Sequence, residues 1–560
     1  MKATSLGKLN TLQTELQAST VRDFEGGWNL TDSDLNLAPK YARVLDNMER
    51  GTDGTLRVRD GTVLFGAITT DVSAIVNVYY FNRYIVVVQY SGRFSLVDEN
   101  GTVTYLPLHT TGADPWPTGV TFVSFTLQNN DLLIYNGVNK PLVLYGNFSN
   151  PLYMKLAYSV DAATLSNINT PIGLYVVAHG QYTVVAGLPN KPSTLSISAR
   201  NTNGTFLGDP APNDAIELDL GPRVSLGSAT ILGLLSYKDK LLVAFESGVL
   251  PVNLGIYNET VHVPTDDGFI AEYGSLSHRA MINIGDDVYY CDNTGADMLT
   301  KSTFNSALRP SRVSELIDPA IKAAITALTP EQISALVFAV YDMLNKRYML
   351  FIPTIDENGV ITETVCYSYT DRQAGKTKAW ARLKGWNFSC GCRTSRQNLI
   401  FAFNNKLYKL DYEATDTALD FVGDTEINAG AGVPITFDWE LPWADFNKRM
   451  NTKVSQYIGI DAEGLGTFTL SMYTDKLRYD EDGNDAPLLT MDFIGDVPGG
   501  YGTGGYGVTP YGSGRHTGNE QLYEFPAEFH TAKLRISGST SKPLAIASIS
   551  VLYRNGAFGR

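Results

Sequence analysis

The sequence predicts an all-β protein: a six- to eight-bladed β-propeller, then a C-terminal β-sandwich, with a short helical insertion. Three observations predict this. Hairpin-like units, each a turn, an apolar strand, a second turn and a second strand, begin at Asn82, Asp131, Gln181, Asp239, Asp286, Lys346 and Asn398. A period of about fifty residues with several strands per repeat marks a propeller, because a single blade cannot bury both faces of its sheet. The composition agrees: 31 Tyr, 24 Phe and 51 Gly in 560 residues describe many strands and many turns. Beyond residue 428 the units give way to alternating strands such as PITFDWELPW and LAIASISVLYR, the pattern of a separate antiparallel sandwich.

Residues 1–61 form an N-terminal arm and an extended segment. Leu6, Leu9, Leu12 and Leu16 share one face of a weakly amphipathic helix over residues 1–20, read either as a frayed terminus or as a strap onto a neighbouring subunit. Gly26, Gly27 and Pro39 break regular structure after it, and Ala42 to Met48 suit one helical turn. The propeller occupies residues 62–428. Near residues 311–335 it is interrupted by helices, because Asp318-Pro319 and Thr329-Pro330 each pair an N-cap residue with Pro at the first helical position. Gln332 completes a capping box with Thr329, and Ile317, Ile321, Ile325 and Leu328 keep a helical apolar stripe. The sandwich spans residues 429–560 and holds a Gly/Tyr-rich loop at 495–518 that has no residues with which to build a packed core.

The chemistry-bearing residues do not assemble into a recognisable catalytic pattern. Gly502, Gly504 and Gly507 match a dinucleotide fingerprint, but that fingerprint opens a helix, and the following Val508-Thr509-Pro510 cannot start one. Gly375-Lys376-Thr377 lacks the earlier glycine of a phosphate loop, since position 370 is Thr. Asp480, Asp482 and Asn484 have the first spacings of a calcium loop, yet Asp485 and Met491 stand where Gly and Glu are needed. Cys291, Cys366, Cys390 and Cys392 are too few for a disulfide scaffold, and Cys390-Gly391-Cys392 has no second pair to complete a metal site. The six His residues are scattered. No catalytic residue, cofactor or metal is therefore assigned. Trp380 and Trp386 read as blade packing, with a sugar platform as the alternative.

Lys and Arg number 44 against 58 Asp and Glu, a net charge of −14. That balance argues against tight nucleic-acid binding and suits a wall that a duplex slides past without sticking. The N-terminus lacks the apolar core of a signal peptide, and no apolar run approaches bilayer-spanning length. The expectation is a chain made in a cytoplasm, without a membrane span.

Three stretches resemble one family. The first is RDFEGGWNLTDSDLNL followed by ARVLDNMERGTDGTLRVRDG; the second joins NDAIELDL, LLSYKDKLLVAFESGVLPV and DDVYYCDNTGADMLTKS; the third joins KRYMLFIP, VCYSY and Ala379-Trp380. Their order is similar to that of the podophage tail nozzle family, also called tail tubular protein B or the packaged-DNA stabilisation protein, over roughly residues 22–440. The resemblance implies a homo-hexameric ring in the virion tail, assembled in the host cytoplasm. Its partners would be the portal and adaptor rings and the tail fibres. Viral double-stranded DNA would pass through its channel without specific binding, and no catalytic residues are implied. The Gly/Tyr loop, with Tyr501, Tyr506, Tyr511 and Arg515, is the candidate gate or partner contact, because Gly leaves the backbone unrestrained. Two other classes fit a propeller: a receptor- or glycan-binding module of a phage or cell surface, and a glycosidase-like enzyme with a spatially assembled carboxylate pair.

Overall fold

The computed structural model describes the chain outside residues 1–16, 23, 35, 52–53, 109–111, 146–152, 157–169, 201–205, 207–214, 225–226, 255–264, 271–272, 302–307, 373–376, 412–418, 421–432, 447–450, 465, 476–477, 480–484, 495–520, 542 and 556–560. Seven blades close into a ring. Blade 1 comprises Ile75–Phe81, Tyr84–Gln89, Phe94–Val97 and Val103–Tyr105. Blade 2 comprises Ser124–Gln128, Asp131–Tyr135, Leu142–Tyr145 and Tyr153–Leu156, and blade 3 Tyr175–His179, Tyr182–Ala186, Thr194–Ile197 and Ile216–Asp219. Blade 4 is Ile231–Tyr237, Lys240–Phe245, Gly248–Asn253 and Thr265–Asp266; blade 5 is Ile282–Ile284, Asp287–Cys291, Ala296–Lys301 and Leu308–Arg312. Blade 6 is Phe338–Asp342, Arg347–Ile355, Ile361–Arg372 and Thr377–Trp386. Blade 7 takes Cys390–Arg393, Leu399–Phe403 and Lys406–Leu410 from late in the chain and its outermost strand, Thr62–Ala67, from early in it. Tyr408 faces Leu64 and Leu410 faces Thr62 across that closing pair. Closure leaves the ring without a long open sheet edge.

The seven predicted units are the second and third strands of the seven blades. Most of those strands are buried on both faces, as in Tyr84–Gln89 and Lys240–Phe245, where only the first residue is not fully buried. Between successive blades lie separate apolar clusters. One joins blades 1 and 2 through Val86, Val88, Leu132 and Ile134; another joins blades 3 and 4 through Val184, Leu195, Leu234 and Val243. Tight turns connect the strands. Asn82-Arg83 and Asn129-Asn130 take φ of 47° and 70°, and 50° and 67°, the left-handed pairs that match the twist of a hairpin.

The helical insertion is present as α1 (Asp318–Thr326) and α2 (Pro330–Leu336). Thr329 caps α2 with the expected reciprocal capping box through Gln332. Asp318 departs from expectation. The N-cap position is Ile317, without a side-chain cap, because Arg312 and Ser314 take the Asp318 carboxylate instead.

Two further expectations are corrected. Gln17–Val21, the described end of the predicted N-terminal helix, is a strand paired with Leu544–Asn555. Ala42 to Met48 is not a helical turn: it contributes to the short strands Tyr41–Ala42, Val44–Asp46 and Met48–Arg50, interrupted by Asn47 at φ 55°. Both reversals come from long-range pairing overriding local propensity.

The C-terminal strands form a sandwich. One sheet orders Gln521–Phe529, Lys453–Gly464, Leu544–Asn555, Leu56–Val58 and Met48–Arg50, with Gln17–Val21 also on Leu544–Asn555. The opposing sheet is not free-standing. It continues blade 6: Val44–Asp46 lies beside Thr377–Trp386, and Val433–Glu440, Ala532–Thr540, Thr467–Thr474 and Leu489–Ile494 follow in a sheet of ten strands. One apolar core unites Trp380 and Trp386 of blade 6 with Met48, Trp439, Ile458 and Ile546.

Candidate functional site

Two places decide what this scaffold can do: the seam between propeller and sandwich, and the hub of the ring. The seam is built around residues 24–60. At Gly27, φ is 64° and an added Cβ would lie 2.6 Å from the Trp380 amide nitrogen, so the chain can press against blade 6 only as glycine. That approach seats Trp28 on Tyr367, with rings stacked at 6.4 Å, and places the Arg382 guanidinium 4.7 Å from the Trp28 ring. The GGWN stretch is therefore a docking element for blade 6.

Asn47 joins three elements. Its Nδ2 donates to the Thr436 carbonyl of the sandwich at 2.7 Å. Its Oδ1 accepts from the Lys384 amide of blade 6 at 2.6 Å and from Arg59 Nε at 2.8 Å. Arg59 in turn lies 4.2 Å from the Trp386 ring centre. Beside it, Asp46 takes a two-pronged contact from Arg382 at 2.5 and 2.9 Å and a third from Lys384 at 2.8 Å.

Deeper still, Arg347 of blade 6 is 2% exposed in its side chain and meets three carboxylates: Glu49, Asp342 at 2.7 Å and Asp60 at 3.2 Å. Burial pushes the Asp60 carboxyl above its ordinary range, against the pull of Arg347 and Arg57. Asp342 sits below the ordinary range, because Arg347 and Asn345 outweigh its burial. The seam is an ionic and aromatic weld that resists sliding of the two halves.

The first strand of each blade lines the hub. Side chains stitch these strands around the ring: Asn77 Nδ2 donates to Val123 O at 2.7 Å, Thr126 Oγ1 accepts from Ala178 N at 2.7 Å, and His179 Nδ1 lies 2.9 Å from Ser236 Oγ. At the end where these strands begin, contacts also reach across the ring. The Tyr175 ring of blade 3 lies 5.7 Å from Phe122, before blade 2, and 5.2 Å from His278, before blade 5. The Tyr175 hydroxyl is 3.4 Å from Ser334 Oγ of α2. Arg279 donates to Ala335 O of α2 and, at 3.0 Å, to Ser389 O ahead of blade 7. Ser389 Oγ donates to Ile75 O of blade 1 at 3.0 Å. Burial and the neighbouring Arg279 lower the pKa of His278 to about 4, leaving its Nδ1 free to accept the Leu234 N–H. Blades 1, 2, 3, 5 and 7 and helix α2 thus meet at hydrogen-bond or ring-contact distance, and side chains bridge this end of the hub.

Trp380 and Trp386 are each 1% exposed, and Trp380 Nε1 donates to Val313 O at 2.8 Å, so they pack the blade and offer no sugar platform. Cys291, Cys366 and Cys390 are buried free thiols, and Cys392 is half-buried and free. Burial holds all four well above their ordinary pKa. Tyr501, Tyr506, Tyr511 and Arg515 lie outside the described residues, as do Asp480, Asp482 and Asn484 of the acidic turn. Sequence reading missed the seam and the bridged hub, since most of their partners lie from about 44 to 389 residues apart; the positive-φ demand of the GGWN stretch was the one local signal.

No protein-family profile matches the chain, and no curated protein sequence matches it. Solved structures do. The WD40 β-propeller domain of Doa1 aligns at 10% identity over 63% of this chain and 98% of that one, with a TM-score of 0.33. BamB from Moraxella catarrhalis aligns at 11% identity over 71% of this chain and 98% of its own, with a TM-score of 0.32. The propeller assignment rests on the ring of sheets itself. Among the described residues no helix is long and apolar enough to cross a membrane.

Proposed function

We propose that this chain is a non-enzymatic structural subunit of a short-tailed bacteriophage tail, a nozzle ring whose copies together enclose the channel for genome retention and ejection. The sequence resemblance suggests the part, and one observation carries the mechanics: the sheet that runs unbroken through nine of its ten strands from the hub of blade 6 into the sandwich. A ring bearing the pressure of packaged DNA needs subunits that do not hinge internally, and a shared sheet with a shared core supplies that stiffness. The bridged hub favours a channel outside the ring of any one copy. A duplex whose major groove alone is about 12 Å wide does not pass a mouth bridged by a 3.0 Å hydrogen bond. The conduit therefore lies between copies, which associate head to tail and close by rotation. A net charge of −14 would keep the passing phosphates from adhering.

Electron microscopy of the purified full chain, alone and with portal and adaptor rings, tests the reading. A closed annulus of six copies with a duplex-wide opening is expected; discs that stay monomeric with every partner would reject it. Deleting residues 498–514 is expected to leave the annulus intact while altering DNA retention or infectivity. Loss of folding in that variant would remove the Gly/Tyr loop as the gate.

A further inference from the structure

The ionic cluster at the seam holds more negative charge than its cations neutralise. Glu49, Asp60 and Asp342 meet on the one guanidinium of Arg347, at its Nη1, Nη2 and Nε. A second guanidinium, Arg57, stands 4.0 Å from Glu49 Oε1 and donates to Asn345 Oδ1 at 3.0 Å. Arg59 gives its nitrogens to Asn47 Oδ1 and to the carbonyls of Asp60 and Lys384. The Cys366 thiol near Arg347 and Glu49 stays neutral, because burial holds its pKa well above the ordinary value. Three carboxylates thus face the guanidiniums of Arg347 and Arg57, and one negative charge is left over.

The three carboxyls are held unequally. Asp342 Oδ2 accepts from Arg347 Nε at 2.7 Å and Asn345 Nδ2 at 3.0 Å, and its Oδ1 accepts the amides of Leu344 and Asn345. Asp60 is held more loosely, by Arg347 at 3.2 Å and Asn345 at 3.5 Å. The Glu49 side chain is 4% exposed, and its Oε2 is buried and accepts no hydrogen bond from any described residue. An anionic oxygen in that position lacks a donor, and a proton on the adjacent carboxyl would supply one. Asp60 is the carboxyl whose surroundings favour the proton: burial raises its pKa, and the charges of Glu49 and Asp342 add to that against the pull of Arg347 and Arg57.

We propose that the seam holds one bound proton, carried by Asp60 and directed at Glu49 Oε2, whose loss loosens the join between propeller and sandwich. On its loss the Asp60 O–H bond breaks and the proton passes to solvent, which reaches this side chain through its 19% exposure. The cluster then keeps its surplus charge without a donor to meet it. The latch is firm in mild acid and weakens in base, and it does not depend on the nozzle reading.

Infrared spectroscopy of the full chain at about pH 7, where ordinary carboxyls are ionised, tests it. A carboxylic-acid C=O band is expected in the wild type and is expected to be lost in Asp60→Asn. Glu49→Gln balances the charge and lets Asp60 ionise, so the band is expected to vanish there too. The raised pKa of Asp60 also fixes a sign: its contribution is whole below about 3.9 and is lost as pH rises through the folded value. Asp60→Asn keeps a donor for Glu49 Oε2 and cannot ionise. The wild type is therefore expected to lose urea midpoint relative to this variant as pH rises from about 5 to about 9. Asp342, lowered by Arg347 and Asn345, and Asp297, raised to about 6 by burial, are common to both proteins and cancel in the difference. Absence of the band from the wild type overturns the proposal whether or not the variants fold. So does a band that both variants retain, or a midpoint difference that is flat with pH or of opposite sign.

Discussion

His278 and Asn47 show how much rests on single side chains. His278 has a folded pKa near 4 against an ordinary 6.5, so it unfolds into a form that binds more protons. Its contribution to stability is whole above pH 6.5 and is lost as pH falls towards 4, at most about 3 kcal/mol. Asp297, raised to about 6, works in the opposite direction over part of that window, so the wild-type profile alone mixes the two. The difference in urea midpoint between the wild type and His278→Gln isolates the histidine: the variant is expected to gain relative to the wild type as pH drops from 6.5 to 4. A difference that stays flat with pH would refute the buried, neutral imidazole. Asn47 is read with two variants. Asn47→Gly keeps the positive φ and loses three side-chain hydrogen bonds, an expected loss of about 3 kcal/mol. Asn47→Ala adds backbone strain of about 1 kcal/mol. Equal loss in both would mean that the φ of 55° carries no strain.

At the scale of elements, the weld is asymmetric between breaking and replacing. Arg347→Met leaves Glu49, Asp60 and Asp342 buried without their counter-charge, and the expected loss is about 3–5 kcal/mol. Adding Glu49→Gln and Asp60→Asn to that variant is expected to restore part of it. Chemical denaturation of the series checks this, and a single variant as stable as the wild type would show the cluster to be dispensable. The elements also explain what was legible. The central hairpins could be read because their strands are largely buried and mostly apolar, as in Leu132–Tyr135. The fourth strands were not legible: Val103–Tyr105 is largely exposed, and Thr265–Asp266 is two residues long. Thr329 and Gln332 announced their helix because a capping box is local. Val44–Asp46 misled because its partners come from residues near 382 and 438, which no local window contains.

For the whole molecule, the seam predicts one unfolding event. Propeller and sandwich share a sheet and a core, so calorimetry is expected to give a single transition with matching calorimetric and van't Hoff enthalpies. Two resolved transitions would mean that the halves are independent and would weaken the case for a pressure-bearing part. The sequence separates residues 1–61, 62–428 and 429–560 by changes of pattern. The folded chain ties those ranges together, since pattern reports which residues alternate and not which strands they join.

The closing strand of blade 7 has a consequence for biosynthesis. Thr62–Ala67 waits for Lys406–Leu410, which leaves the ribosome roughly 17–70 s later at about 5–20 residues per second. Gln17–Val21 waits longer still, for Leu544–Asn555. Through that interval the nascent chain offers two unsatisfied strands to any neighbour on the same polysome. Crowded translation would thus favour exchange of these strands between copies, and slower synthesis would favour correctly closed monomers.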